Sequence, residues 1–310
     1  MDRKLLSIII PCYNEEKTVE TIYATVTDVM TNGQCDYEIL FVDDGSKDYT
    51  EQKVCGLAQK DRHVKYYSFS RNFGKEAAIM AGLEQASGDC CAVMDCDLQH
   101  PPETLVEMYR LSVATRRVSR KGEPMVRSFC ARCFYKLIRR ISDADIVDGA
   151  RDFRMMTRDM VNSVLALSEY NRFSKGIFGW VGYRTKWLEY ENIERTAGET
   201  KWSFWKLLAY SLDGIVNFSN VPLMISSYLG ILMTFISFVA IIFIIVRKLI
   251  FGDPVSGWPS LVCIITFVGG IQLFCMGIMG QYLSKTYMEV KKRPHYIIQK
   301  SNDEETEKNK

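Results

Sequence analysis

Two aspartates, Asp95 and Asp97, stand two residues apart directly after a short apolar run in this 310-residue chain. Such a run is typical of a buried strand. Two carboxylates at the end of a strand can hold a hard divalent cation and leave positions open for the oxygens of a diphosphate. The cation would offset the charge that develops on a departing diphosphate. A pair of this kind is common, so the chemistry needs support from elsewhere in the chain.

Apolar runs alternate with helical patterns over the first hundred residues. The runs are Leu5–Pro11, Tyr37–Val42, Val64–Ser70 and Cys90–Met94, and the helical patterns are Glu15–Met30, Asp48–Lys60 and Gly74–Ala86. This alternation predicts βαβ units and therefore an α/β fold with a mainly parallel sheet. In such a sheet, ligands bind at the carboxyl ends of the strands.

Polar turns follow three of these runs. The turns are Asn14-Glu15, Asp43-Asp44 and Asp95-Cys96-Asp97. Asp and Asn are common turn residues, so one such turn would carry no information. Three of them at successive strand ends should converge on one edge of the sheet, which favours a binding site.

The composition excludes some classes of protein. Lys and Arg number 39 against 37 Asp and Glu, whereas a nucleic-acid partner would require a larger basic excess. The amino-terminal apolar run is short and leads into a polar turn without a small-residue cleavage site, so no signal peptide is predicted. The ten cysteines show no disulfide framework, which fits a reducing compartment. Cys130 and Cys133 form a CxxC without a second metal-binding pair, and we interpret it as a coincidence on a helix.

Two uncharged apolar runs, Val221–Val246 and Leu261–Leu283, are each long enough to cross about 30 Å of hydrocarbon. A short turn joins them, so they form a hairpin with both ends on one side. Basic residues are more numerous after the second run than in the turn, which predicts that both ends are cytoplasmic. They are Lys285, Lys291, Lys292 and Arg293 after the run, and Arg247 and Lys248 before the turn. Small residues in the second run allow close helix approach, and a homo-oligomer is one option.

The patterns divide the chain into four segments: a soluble domain (1–200), an amphipathic helix in the membrane interface (201–220), two transmembrane helices (221–284) and a cytoplasmic tail whose polar end is disordered (285–310). For the second segment, Trp202–Phe218, a core helix is the alternative. The basic stretch Arg116–Arg140, with a helix over Ser128–Ile141, is either a solvated face or a surface that meets anionic headgroups. The whole describes an integral membrane protein, of the inner membrane if the source is bacterial.

Four motifs resemble those of family 2 glycosyltransferases of the GT-A (Rossmann-like) fold. They are IIIPCYNEE (Ile8–Glu16), FVDDGSKDYT (Phe41–Thr50), SRNFGKEAAIMAGLEQASGD (Ser70–Asp89) and MDCDLQHPPE (Met94–Glu103). With the carboxy-terminal transmembrane hairpin, the chain is similar to bacterial polyprenyl-phosphate glucosyltransferases and dolichol-phosphate mannosyltransferases. The resemblance extends to about Pro294, nearly the whole chain.

The resemblance implies a donor site for a nucleotide-sugar, with UDP-glucose as the first choice and GDP-mannose or an amino-sugar nucleotide as alternatives. The residues around the nucleoside would be Pro11, Tyr13, Glu15, Asp43 and Asp44. Arg71 and Lys75 would lie near the base and the phosphates. Asp95 and Asp97 would bracket the diphosphate and Mg²⁺ or Mn²⁺.

The resemblance also implies a polyprenyl phosphate as acceptor. Asp152, in RDFRMM, matches the proposed general base of the family, and Arg195 and Lys201 in RTAGETKWS would face the lipid phosphate. Arg172 and Lys175 are further candidates for that phosphate. A phosphate monoester has a second pKa of about 6 and is already ionised, so Asp152 would orient or balance charge more than abstract a proton. The reaction would be a single displacement that inverts the anomeric carbon.

One segment departs from the family. Relatives carry a pattern similar to W-x-x-G-Y-D-V-V after the DxD region, whereas here Leu111 runs almost directly into Arg116, so the expected strand is shortened or absent. This keeps a non-catalytic nucleotide-binding membrane scaffold open as an alternative. A processive polysaccharide synthase would carry a QxxRW motif, which does not occur in the sequence. A transporter is disfavoured because the two uncharged spans offer no polar path.

Overall fold

The computed structural model describes most of the amino-terminal domain and both long carboxy-terminal helices. The described residues are 4–97, 101–111, 114–117, 150–170, 172, 174–185, 187–190, 216, 219, 221–251 and 257–303. The chain divides into two compact units, of which one combines Met1–Ser211 with Arg293–Lys310 and the other comprises Leu212–Lys292.

The first unit is an α/β domain. Its elements are β1 (Leu6–Cys12), α1 (Val19–Asn32), β2 (Tyr37–Asp43), α2 (Thr50–Lys60), β3 (Val64–Phe69), α3 (Lys75–Gln85), β4 (Cys90–Val93), α4 (Thr104–Leu111), β5 (Ala114–Arg117), β6 (Ala150–Thr157), α5 (Arg158–Leu165), α6 (Ser174–Trp180), β7 (Trp187–Tyr190) and β8 (Ile298–Ser301). The eight strands form one sheet in the order β7-β5-β6-β4-β1-β2-β3-β8. The strands β4, β1, β2 and β3 are mutually parallel, while β6 and β8 pair antiparallel with β4 and β3. The predicted α/β fold with a mainly parallel sheet is confirmed.

The central strands are buried on both faces, as parallel strands with helices on either side must be. In β1, Leu6, Ile8 and Ile10 are fully buried and belong to the main core, which α1 covers on one face. The helix α1 contributes a stripe at Ile22, Val26 and Met30, which is the spacing of an amphipathic helix. These contacts fix the carboxyl ends of the strands in register.

The opposite face of β1 requires a glycine in α3. A Cβ on Gly82 would lie 2.2 Å from Cγ2 of Ile9, so the helix could not approach the strand this closely with any other residue. The helix is buried from Ala77 to Leu83. Close packing of α3 brings its amino-terminal residue, Lys75, to the carboxyl edge of the sheet.

A buried polar cluster lies at the opposite side of the sheet, where the parallel strands begin. Glu38 is 6% exposed and accepts hydrogen bonds from Ser7 Oγ (2.6 Å) and the Ser87 main-chain N–H (2.7 Å). Lys65 Nζ lies 3.2 Å from Glu38 Oε2. Burial opposes ionisation, but the hydrogen bonds from Ser7 and Ser87 outweigh it and lower the pKa of Glu38. This cluster is structural, because it lies at the amino ends of the strands.

The tail differs from its prediction. The segment Ser301–Lys310 was expected to be disordered; residues 304–310 lie outside the described residues, but Ser301 pairs with Tyr67 as the last residue of β8. Asn302 accepts a hydrogen bond from the Tyr66 main-chain N–H at 2.7 Å, and Asp303 accepts one from Tyr67 Oη at 2.8 Å. The polar composition was misleading because an edge strand buries little side-chain surface and is held by main-chain pairing.

Two predicted helices begin later than expected, each for a local reason. The first begins at Val19 rather than Glu15, because Glu15 belongs to a turn in which its carbonyl accepts from Thr18 and Val19. The second begins at Thr50 rather than Asp48, because Asp48 belongs to the preceding turn, where its Oδ1 accepts from the Thr50 main-chain N–H two residues on at 3.1 Å. The shortened strand is present as β5, with four residues.

The second unit consists of two long helices, α7 (Val221–Phe251) and α8 (Trp258–Lys291). Two stretches, Val221–Ala240 and Phe267–Lys291, are long and apolar enough to cross a membrane, with mean hydropathies of 2.0 and 1.2 and no buried residue in either. Large side chains such as Phe235 and Phe243 are each 64% exposed. Apolar surface of this extent is unfavourable in water and fits lipid.

Several predicted features lie outside the described residues. They are the helix Ser128–Ile141, most of the basic stretch up to Arg140, the pair Cys130 and Cys133, most of the interfacial segment Trp202–Phe218, and the turn between the two long helices.

Candidate active site

An open cleft of about 380 Å³ lies at the carboxyl edge of the sheet, where the sequence predicted a site. Its lining comes from the turn after β1, the turn after β2, the start of α3 and the turn after β4. The lining residues are Pro11, Cys12, Tyr13, Glu15, Asp44, Asn72, Gly74, Lys75, Ala78, Asp95, Cys96 and Asp97. The predicted convergence of three acidic turns is therefore what the structure shows.

Hydrogen bonds join the first two turns. Asn14 has a positive φ of 54°, a conformation that Asn tolerates better than most residues. Its main-chain N–H donates to Ser46 Oγ at 2.9 Å, and its Oδ1 accepts from the Lys47 main-chain N–H at 2.9 Å. This arrangement fixes the neighbouring Tyr13 and Glu15 at the rim of the cleft.

Asp43 has a different position from the one predicted. It was expected beside the nucleoside, but it is 2% exposed and accepts hydrogen bonds from the hydroxyls of Ser46 and Ser68, the latter at 2.9 Å. Burial raises the pKa of Asp43. Its carboxylate makes its hydrogen bonds beneath the cleft, so Asp43 stabilises the turn and does not line the cleft.

Asp44 faces the cleft and holds the loop that follows β3. Its Oδ1 accepts from the Phe73 main-chain N–H at 2.6 Å, and its Oδ2 accepts from that of Gly74 at 2.9 Å. Burial of this carboxyl raises its pKa to about 6, although the two main-chain donors act in the opposite direction. Asp44 is therefore both a wall of the cleft and the anchor of the loop.

The same loop packs against a glycine. Gly45 has a φ of 66°, and a Cβ there would lie 2.4 Å from the main-chain carbon of Arg71. Only glycine satisfies both the conformation and the contact. Arg71 itself is exposed, with its guanidinium carbon 4.0 Å from the centroid of the Phe73 ring, so it flanks the cleft rather than lining it.

Lys75 opens α3 and forms an ion pair with the first aspartate of the DxD pair. Its Nζ lies 2.6 Å from Asp95 Oδ1, and both side chains are partly exposed. The amino-terminal end of a helix attracts anions, and Lys75 adds a full positive charge there. This end of the cleft therefore combines cationic and anionic groups, as a diphosphate with a metal counterion requires.

Asp95, Cys96 and Asp97 all line the cleft, and Cys96 is buried, with 3% of its surface exposed. Thr18 Oγ1 lies 3.5 Å from Cys96 Sγ. A hydrogen bond with Cys96, together with burial, raises the pKa of the Cys12 thiol well above its ordinary value. Both thiols are buried beneath the cleft, and the raised pKa keeps Cys12 protonated at neutral pH.

The carboxylate pair fits one kind of metal site. Among the described residues, no group of three or more His, Cys, Asp and Glu side chains is arranged to hold a metal ion. Mg²⁺ and similar hard cations are commonly bound by one or two carboxylates together with substrate phosphates. Asp95 already holds a cationic group, the Lys75 ammonium, so its carboxylate is oriented for positive charge. The residues fit a cation that arrives with its phosphate ligands.

The predicted acceptor residues are only partly described. Asp152 lies in β6, two residues before Arg154, whose guanidinium carbon is 3.9 Å from the centroid of the Phe178 ring. Arg172 donates to the main-chain carbonyls of Leu167 (2.5 Å) and Val164 (3.1 Å), and burial lowers its pKa. It therefore holds the end of α5, a structural role that the sequence did not indicate.

The other acceptor residues are less defined. Lys175 is the second residue of α6, and its side chain lies outside the described part, as do Arg195 and Lys201 entirely.

Five lining residues were missed from the sequence as site residues: Cys12, Asn72, Gly74, Ala78 and Cys96. Asn72 and Gly74 follow β3, so the rule that ligands bind at the carboxyl ends of strands would have identified them. Cys12 and Ala78 are apolar in character, and no sequence signal separates them from the core.

Known proteins that are similar to this chain belong to one family. The family model "Glycosyl transferase family 2" matches residues 7–165. CsbB of Bacillus subtilis (strain 168), which is named as a glycosyltransferase, is 45% identical over 97% of this chain and 93% of its own length. The uncharacterized glycosyltransferase sll0501 of Synechocystis sp. (strain PCC 6803) is 42% identical, with 94% of each chain covered.

A third relative has a more specific name. The SfII prophage-derived bactoprenol glucosyl transferase of Shigella flexneri is 42% identical over 96% of this chain and 98% of its own length. Matches of this identity and coverage establish membership of a family. The chain belongs to glycosyl transferase family 2, is a glycosyltransferase and resembles the bactoprenol glucosyl transferases.

Proposed function

We propose that this enzyme transfers a sugar from a nucleotide-sugar to a polyprenyl phosphate and releases a nucleoside diphosphate. The observation that carries the proposal is the single cleft in which Asp44, Lys75, Asp95 and Asp97 meet at the carboxyl edge of the sheet. Relatives that match nearly the full length of the chain are named for bactoprenol, which supports a polyprenyl phosphate as the acceptor.

The donor we propose is UDP-glucose, because those relatives are named glucosyl transferases. Pro11, Tyr13, Glu15 and Asp44 form the part of the cleft that suits the nucleoside. The start of α3 and Lys75 form the part that suits the phosphates. The buried Asp43 contributes indirectly, since it stabilises the turn that carries Asp44.

We propose that Mg²⁺ or Mn²⁺ binds with the donor and is held by Asp95 and Asp97. The ion would neutralise the charge of the leaving diphosphate. When the donor enters, Lys75 is placed to exchange its ion pair with Asp95 for one with a phosphate oxygen, because its Nζ already lies at the same edge of the cleft. Asp95 would then be released for the cation.

The reaction we propose is a single displacement at the anomeric carbon. An oxygen of the lipid phosphate attacks from the face opposite the diphosphate, a new C–O bond forms, and the bonding electrons leave with the nucleoside diphosphate. The configuration is inverted and no covalent enzyme intermediate forms. Asp152 orients the cationic groups that bind the acceptor more than it abstracts a proton, because a phosphate monoester with a second pKa of about 6 needs little deprotonation at neutral pH.

The acceptor phosphate requires cations beside it, since it would otherwise meet the diphosphate as a second anion. We assign this role to Lys175, Arg195 and Lys201. Arg172 belongs to the supporting structure, because its guanidinium is bound to the carbonyls of Leu167 and Val164. Because two helices are long and apolar enough to cross a membrane, membrane association is part of the proposal. The catalytic domain and both termini would lie on the cytoplasmic side.

The test uses membranes that contain the full-length protein, polyprenyl phosphate, Mn²⁺ and a panel of radiolabelled nucleotide-sugars. We expect one nucleotide-sugar, UDP-glucose, to give a labelled lipid. Asp95→Asn and Asp152→Asn should each reduce the initial rate by about 100-fold or more, which is the range for loss of electrostatic stabilisation.

Glu107→Gln, an exposed acid on α4 outside the cleft, is the matched control and should retain the rate. If no nucleotide-sugar in the panel gives a labelled lipid, the proposed function is wrong. Nucleotide binding without any transfer would instead identify a non-catalytic scaffold.

A further inference from the structure

The segment after the last long helix contacts the loop that lines the donor cleft. We call residues 295–303 the tail strap. Its strand β8 pairs with β3, and the Ser70 main-chain N–H, just beyond β3, donates to the Ile297 carbonyl at 3.0 Å. His295 stacks on Tyr170, with ring centroids 5.7 Å apart. The strap therefore ends its pairing where the loop Arg71–Gly74 begins.

Tyr296 of the strap makes the contact that points toward the cleft. Its ring stacks on Phe69, with centroids 5.0 Å apart and planes 13° apart, and its hydroxyl donates to Glu84 of α3. Phe69 in turn meets Phe73 edge to face, with centroids 5.8 Å apart and planes at 89°. Both geometries are the favourable ones for aromatic pairs. The three rings form a continuous series from the tail to the loop.

Phe73 connects this series to the cleft. Its main-chain N–H donates to Asp44 at 2.6 Å, and the guanidinium of Arg71 lies over its ring at 4.0 Å. Its neighbours Asn72 and Gly74 line the cleft. The contacts of the ring therefore restrain the segment of main chain that forms this wall.

We propose that Tyr296 is a positioning residue for the nucleotide-sugar, because it holds the loop Arg71–Gly74 through Phe69 and Phe73. This inference rests on the proposed function for the identity of the ligand. Tyr296 does not touch the cleft, so its removal changes how often the loop has its binding conformation. If a smaller fraction of the molecules has the loop in its binding conformation, the apparent dissociation constant of the donor rises in proportion.

The strap offers a matched control. Asn302 accepts from the Tyr66 N–H at 2.7 Å and donates to the Val64 carbonyl at 3.0 Å, so it supports the same strand pairing without contact with the ring series. Tyr296→Phe keeps the ring and loses only the hydroxyl. These two variants separate loop positioning from general stability of the strap.

The experiment compares full-length wild type, Tyr296→Ala, Tyr296→Phe and Asn302→Ala. Hydrogen exchange of the amides of residues 71–76, measured without nucleotide, should accelerate about 10-fold or more in Tyr296→Ala and stay near wild type in the other two. In the transfer assay, Tyr296→Ala should raise KM for the nucleotide-sugar about 10-fold while kcat stays within about 2-fold, as expected for a loss of pre-organisation.

Unchanged exchange in Tyr296→Ala, or an equal rise of KM in Asn302→Ala, overturns this inference while the proposed function stands. Absence of transfer by wild type with every nucleotide-sugar overturns the proposed function instead, and with it the role at the donor.

Discussion

Adjacent carboxylates in this protein have different roles because their hydrogen-bond partners differ. Both side chains are buried, but Asp43 is bound by two hydroxyls below the cleft, while Asp44 is bound by two main-chain N–H groups and lines the cleft. The side chain of the first stabilises the turn, and that of the second shapes the donor loop. The sequence DD alone predicted one role for both, since side-chain direction at the end of a strand depends on partners that come from other segments.

Asp44 gives a prediction on pH. In the unfolded chain this carboxyl titrates near 3.8, and in the folded protein its pKa is about 6. Between these values the folded state binds a proton that the unfolded chain has lost, so stability falls as the pH rises through this window. Asp44→Asn removes the titration.

We therefore expect the thermal midpoint of wild type, relative to that of Asp44→Asn in the same detergent, to decrease between pH 4 and pH 6.5. Midpoints measured at half-unit intervals check this. Parallel curves for the two proteins would show that Asp44 titrates normally.

Lys75 gives a prediction on donor affinity. Its Nζ lies 2.6 Å from Asp95 Oδ1. In the proposed complex with the donor, this ammonium would pair with a phosphate oxygen instead. Lys75→Gln should raise KM for the nucleotide-sugar about 10-fold, equivalent to about 1.4 kcal/mol. The control is Lys53→Gln, which removes a surface pair with Glu20 at the same distance of 2.6 Å and should leave KM unchanged. Equal effects of the two substitutions would refute the role of Lys75.

At the scale of the elements, the turns after β1 and β2 and the loop after β3 form one interlocked unit. Asn14 bonds to Ser46 and Lys47, and Asp44 bonds to Phe73 and Gly74. Gly45 lies where the second turn meets the loop, with less space than a methyl group needs. A change in one turn is therefore transmitted to the others.

Gly45→Ala should destabilise the protein by about 1–3 kcal/mol, because it combines a positive φ with a Cβ only 2.4 Å from the Arg71 main chain. The displaced loop should also raise KM for the donor. Gly56→Ala is the control, since a Cβ there meets nothing within 4 Å, and it should stabilise α2 by up to about 1 kcal/mol. Denaturant unfolding of both variants measures the difference, and similar stabilities for the two would contradict the expectation.

The sequence predicted the elements whose pattern is local. Strands β1, β2 and β4 are buried at every position but one, and β3 is buried at four of its six positions, so their runs are visible without the fold. Strand β8, with the sequence IQKS, is not visible in this way, because it is polar and its partner lies more than 200 residues away. The positions of Asp44, Asp95 and Asp97 followed from the strand-end rule, whereas the structural role of Arg172 depends on carbonyls that only the folded loop presents.

At the scale of the whole molecule, the two apolar helices are longer than a bilayer core. At 1.5 Å per residue, the 31 residues of α7 and the 34 of α8 reach about 46 and 51 Å, against about 30 Å of hydrocarbon. If the helices span the membrane as proposed, the excess would extend into the headgroup layers. In the proposed orientation, the basic residues at the end of α8 would lie on the side where anionic lipids attract them.

This arrangement predicts the topology. Alkaline phosphatase fused after Lys310 should be inactive and green fluorescent protein at the same point fluorescent, because we expect both termini in the cytoplasm. Phosphatase fused after Asp253, in the turn between the helices, should be active. An active phosphatase after Lys310 would reverse the proposed orientation.

The position of β8 in the chain has a consequence for how the protein is made. The ribosome completes β1 to β7 and both apolar helices before residues 298–301 emerge, so the outer edge of β3 stays unpaired throughout translation. An uncovered edge is a template for pairing with other chains. Nascent molecules that stall before the tail should therefore aggregate or be degraded. Pairing of β8 with β3 covers the exposed edge and removes this risk of aggregation.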